Sequence, residues 1–68
     1  MNDYDDDIES IEDSLKHALD MLAEARKYLR QGSALKASYE VWETGTTVRS
    51  VEARTQGLYR ALEREAKQ

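Results

Sequence analysis

The sequence predicts an all-α fold: an antiparallel two-helix hairpin, completed as a four-helix bundle by dimerisation. Three observations predict it. Apolar residues recur at alternating intervals of three and four along most of the chain, the spacing of one face of a helix. The chain has no proline to interrupt such a helix. Its clearest punctuation is a single short segment, Gln31-Gly32-Ser33. So short a connection makes the two flanking helices antiparallel neighbours.

Helix 1 is expected at about residues 5–31, with a seam of Tyr4, Ile8, Ile11, Leu15, Ala18, Leu22, Ala25 and Leu29. Leu19, Met21 and Tyr28 flank that seam and widen it, as a bundle helix requires. Acids at its start and Lys27 and Arg30 at its end suit the helix dipole. Gly32 can adopt the left-handed conformation that ends a helix, and Ser33 is a good N-cap for the next. Helix 2 is expected at about residues 34–66, with a seam of Ala34, Ala37, Val41, Thr44, Val48, Val51, Thr55, Leu58 and Leu62. Its weak point is Glu43-Thr44-Gly45-Thr46-Thr47, because Gly costs about 1 kcal/mol against Ala in a helix and each Thr several tenths. The heptad phase nevertheless passes from Ala34 to Leu62 without a stutter, which favours one long helix over a break near Gly45.

At 68 residues the chain is one small domain. Below about 70–80 residues a single core supplies little stability, and most such domains carry a staple. With no cysteine and one histidine, neither a disulfide framework nor a Cys/His metal site is possible. Oligomerisation or a protein partner is the common staple that remains. No apolar run approaches the roughly 20 residues that span a bilayer, and the acidic N-terminus is the reverse of a secretory signal. The expectation is a cytoplasmic protein without membrane association.

The net charge of −4 is unevenly distributed. The first thirteen residues carry seven acids and no base, and the rest carry seven acids and ten bases. A hairpin lays that acidic start beside Arg54, Arg60, Arg64 and Lys67. The acidic start argues against a phosphate backbone as partner. The arginines of helix 2 are interleaved with Glu52, Glu63 and Glu65, so nucleic-acid binding is not expected.

Chemistry is excluded on similar grounds. Asp3, Asp5 and Asp7 begin like a calcium loop, but Ile8 stands where glycine is required and Ser14 where a bidentate glutamate is required. Pairs such as Glu12 with Asp13 have no desolvated pocket to shift their pKa values. His17 is expected on the outward face beside Lys16, and no serine has an evident base partner. There is no glycine-rich phosphate loop. The expectation is a protein that is not an enzyme, with no cofactor, no metal and no catalytic residue.

The informative residue is Trp42, the only tryptophan. It lies off the seam with Leu35 and Tyr39, rotated from the seam's centre by roughly 130° or more. Either the aromatics fold over neighbouring Lys and Glu stems, or they form a second packing face covered by another chain. Tyr and Trp are favoured interface anchors, which supports the second alternative. Leu19, Met21 and Tyr28 on helix 1 would supply matching apolar surface, so that the expected interface is Leu35, Tyr39, Trp42, Leu19, Met21 and Tyr28.

The segment from Ala25 to Ala53 contains Tyr28-Leu29, then Gly32, Ala37, Trp42 and Val48-Arg49-Ser50-Val51. This pattern resembles the helix–turn–helix core of the archaeal PaREP proteins, which belong with the HEPN-like helical domains. The resemblance covers less than half of the chain. It implies an all-α bundle with long antiparallel core helices, onto which further helices pack in those relatives. Here another molecule is expected to cover the Trp42 face. Some HEPN-like proteins are RNases that use an Arg followed closely by a His. The only histidine here precedes every arginine, so that activity is not carried over. Other relatives are small accessory subunits or pair with nucleotidyltransferases. The expected function is a small protein–protein interaction module that self-associates. The alternatives are an accessory subunit docked on a larger nucleic-acid-processing or nucleotidyltransferase enzyme, and a weak nucleic-acid binder.

Overall fold

The computed structural model describes residues 3–67. Two helices, α1 (Asp3–Arg30) and α2 (Ala34–Ala66), pack against each other as an antiparallel hairpin. The described residues contain no strand. The turn is built by hydrogen bonds that close the end of α1. Gly32 adopts a φ of 78°, its N–H donates to the Leu29 carbonyl at 3.0 Å, and the Ser33 N–H donates to the Tyr28 carbonyl at 2.9 Å. This is the Schellman arrangement, and its left-handed residue is the reason for a glycine at position 32. Ser33 occupies the N-cap position, yet its side chain makes no capping hydrogen bond. Its ψ of 79° stops short of the β region from which an N-cap hydroxyl reaches back over the first turn.

α2 continues without interruption through Gly45. Three of its threonines, Thr44, Thr46 and Thr55, donate their hydroxyls back to the helix's own carbonyls. Thr44 Oγ1 donates to the Glu40 carbonyl at 2.8 Å, and Thr55 Oγ1 to the Val51 carbonyl at 2.7 Å. That bond lets Thr44 sit in the hairpin core without an unsatisfied polar group.

The core is small and differs from the expected seam. Ala18, Met21 and Ala25 of α1 are buried against Ala37, Thr44 and Val51 of α2. Ile11, Ser14 and Tyr28 on one side, and Glu40, Thr47, Leu58 and Ala61 on the other, are half-buried. Only half of each expected seam is therefore used. The lines Ile11–Ala18–Ala25 and Ala37–Thr44–Val51–Leu58 lie between the helices. The companion lines do not: Ile8, Leu15, Leu22 and Leu29 remain 43, 44, 44 and 61% exposed, and Val41, Val48 and Leu62 are exposed as well. The physical reason is the width of the stripe. One neighbouring helix covers only part of an apolar face more than 100° wide. The small residues at 18, 25, 37 and 44 allow the closest approach of the two backbones, so contact is made there.

The resulting shape is a single layer. Its principal extents are 55 × 19 × 10 Å, the last being the thickness of one helix. The radius of gyration is 16.0 Å, whereas a compact 68-residue domain has about 11 Å. The accessible surface is 5570 Å², against about 4,400 Å² for a folded 7.8-kDa monomer.

Candidate interaction surface

The two flat faces of this layer differ in chemistry, and helical geometry assigns each residue to one of them. Successive residues turn by about 100°, so positions i+3 and i−4 lie on one side of a central residue, and i+4 and i−3 on the other. In an antiparallel pair, equal offsets from the two contact lines fall on the same face of the hairpin. Ser14 stands three after Ile11 and four before Ala18. Arg54 stands three after Val51 and four before Leu58. They meet: the Arg54 guanidinium donates to Ser14 Oγ at 2.6 Å and to Ser10 Oγ at 2.8 Å. That contact defines one face, which holds an open groove of about 670 Å³ lined by acids, hydroxyls, His17 and Arg54. Met21 and Tyr28 extend the same line toward the turn. There the Lys36 ammonium lies 5.7 Å from the centre of the Tyr28 ring, within cation–π range.

The other face carries the opposite offsets: Ile8, Leu15, Leu22 and Leu29 from α1, and Ala34, Val41, Val48, Thr55 and Leu62 from α2. All are exposed. They run the length of the hairpin as one aliphatic strip, edged by Leu19 at 66% exposure and by Tyr59. The sequence periodicity places the members of this strip, though not its edges Leu19 and Tyr59, in the apolar seams, together with the residues that do lie between the two helices. The signal that could have separated the two groups was the width of the stripe in α1, where Met21 and Tyr28 widen it on the far side.

The expected interface residues divide into three groups. Met21 is buried and Tyr28 half-buried between the helices, so they are already covered and do not belong to an open surface. Leu19 edges the aliphatic strip. Leu35, Tyr39 and Trp42 are exposed on the back of α2, away from α1, with Trp42 at 68%. Ser38, Tyr39, Trp42 and Glu43 line a shallow depression there, of about 620 Å³.

At the open end of the hairpin, the acidic start of α1 lies beside the basic end of α2, as the antiparallel arrangement requires. Tyr4 Oη donates to Glu65 Oε2 at 3.3 Å. The Glu65 carboxylate holds the Tyr4 hydroxyl above its usual pKa, since ionising it would set two negative charges side by side. His17 is exposed on the rim of the polar groove. Among the described residues, no three acids or histidines are grouped to hold a metal ion, and no helix is long and apolar enough to cross a membrane.

The chain matches no protein-family model, and neither the curated proteins nor the solved structures contain a significant match to it.

Proposed function

We propose that this protein is a non-enzymatic, cytoplasmic interaction module whose hairpin self-associates into a four-helix bundle. One observation carries the reading: a strip of large aliphatic side chains runs the length of one face of a layer only one helix thick. Globular domains bury such a face against a second layer. The accessible surface exceeds that of a compact monomer by about 1,200 Å² per chain, more than the roughly 800 Å² per partner of a standard interface. A second copy brings the same strip, and the seam positions of all four helices then point toward a common centre, as in antiparallel bundles. The HEPN-like resemblance agrees with this reading in one respect, because it too implies long antiparallel helices with a further layer on the hairpin.

Sedimentation equilibrium of the 68-residue chain at micromolar concentration tests it. The expected result is a helical dimer. A monomer with full helical content and a cooperative melt would overturn the reading.

A second reading has its own observation. Closing the aliphatic face leaves Leu35, Tyr39 and Trp42 exposed on the outside of the bundle. Exposed Trp and Tyr at helical spacing suit an anchor for a larger protein, which supports the role of accessory subunit. Affinity capture from the native host with the wild-type chain and with Trp42→Ala tests it. A partner retained by the first and lost by the second would support it, and equal capture by both would sink it.

A further inference from the structure

We propose that the second copy docks end-for-end reversed, so that the two Gly32 turns lie at opposite ends of the bundle. This inference rests on the self-association reading and adds the arrangement of the partner. Two twofold arrangements bring the aliphatic strips together. One keeps both turns at the same end and lays α1 over α2 of the second copy. The other reverses the second copy and lays like helix over like helix, antiparallel.

Charge separates them at two scales. The half of the hairpin away from the turn, residues 3–16 and 52–67, carries ten acids and five bases, whereas residues 17–51 carry four acids and five bases. Docking with the turns together sets two strongly acidic halves against each other. Reversal sets each acidic half against a slightly basic one.

The edges of the aliphatic strip repeat the preference residue by residue. Along α1 the exposed edge is Asp5, Glu12, Leu19 and Arg26, and along α2 it is Ser38, Gly45, Glu52 and Tyr59. The bonds from Arg54 to Ser10 and Ser14 place Glu12 level with position 54. With the turns together, Glu12 therefore falls within one turn of Glu52 of the second copy, and the same repulsion occurs twice by symmetry. With reversal about an axis near Leu15 and Lys16, Asp5 falls level with Arg26 of the second copy, again twice. The same axis crosses α2 near Ser50 and brings Glu52 within one turn of Glu52 of the second copy, a single like-charge contact against the two of the other arrangement. Like charges thus meet twice with the turns together and once with reversal, and only reversal adds the two Asp5–Arg26 attractions, so both signs of charge favour it.

A distance measurement between the turns decides the matter. The chain has no cysteine, and Gln31 is exposed in the turn, so Gln31→Cys carries one spin label per chain. Reversal predicts label-to-label distances of about 40 Å or more, the length of a 28-residue helix. Docking with the turns together predicts less than about 25 Å, two or three interhelical spacings. Sedimentation of the same labelled sample accompanies the measurement. A dimer with the long distance supports the inference. A dimer with the short distance overturns it and leaves self-association standing. A folded monomer overturns both.

Discussion

The two faces of the hairpin are built from the same two helices at the same heptad spacing, yet they have opposite characters. The polar face closes on itself. Arg54 reaches across to Ser10 and Ser14, Lys36 stacks on Tyr28, and Met21 tucks into the seam. The aliphatic face has nothing of its own to close on, and its leucines and valines stand in the open along the length of the layer. A rotation of about 100° about each helix axis separates the two lines. The comparison shows that a heptad seam need not mark the contact between sequence-adjacent helices. It marks the direction in which the apolar mass points, and in a two-helix layer that direction lies between the neighbour and the open face.

The largest expected effect tests this contrast on a single helix. Leu22→Asp places a carboxylate in the aliphatic strip, and Ser14→Asp places one beside the Arg54 guanidinium on the polar face. Burying an unpaired charge between two copies costs at least about 3 kcal/mol per chain, so Leu22→Asp is expected to weaken dimerisation more than 100-fold. Ser14→Asp is expected to leave the dimer within a few-fold of wild type, because Arg54 offers it an opposite charge. Equal effects in sedimentation would erase the distinction between the faces.

A smaller effect sharpens the polar side. Gly57 lies inside α2, nearly three turns from its end and at the edge of the polar face, and a Cβ added there meets nothing within 4 Å. Gly57→Ala should raise stability by about 1 kcal/mol, through the backbone entropy that glycine loses on entering a helix. Thermal denaturation should rise by roughly 4–8 °C for a domain of this size. A fall in the melting temperature would mean that a second molecule covers this face as well.

The smallest effect lies at the open end of the hairpin and depends on pH. The raised pKa of Tyr4 means that the folded state holds the phenolic proton more tightly than the unfolded chain. The associated stability is complete below about pH 10 and is lost as the pH rises through the raised value. Tyr4→Phe removes that loss, so the variant should show a shallower alkaline decline in denaturant titrations above pH 10. Superimposable alkaline profiles would show that the Tyr4–Glu65 contact has no part in holding the two helix ends together.

Much of the fold was legible in the residues. The two helices, their limits to within a residue or two, and the turn at Gly32 follow from apolar periodicity and one glycine. The continuity of α2 through Gly45 follows from an unbroken heptad phase. The candidate surface was only partly legible. Trp42, Tyr39 and Leu35 stand on the exposed back of α2, where their spacing puts them. Met21 and Tyr28 do not share that exposure. From spacing alone they flank a seam, and flanking residues can lie on either side of the contact.

Alone, the sequence determined that two amphipathic helices form, where they end, and that they run antiparallel. These are local properties: backbone hydrogen bonding, propensity and a short connection decide them within a few residues. Tertiary structure alone decided which half of each apolar stripe is covered. That choice depends on how closely two backbones approach, and the approach is set by Ala18, Ala25, Ala37 and Thr44 meeting across the seam. The larger leucines and valines, displaced to one side, became the open face because one helix can cover only part of its neighbour's apolar stripe.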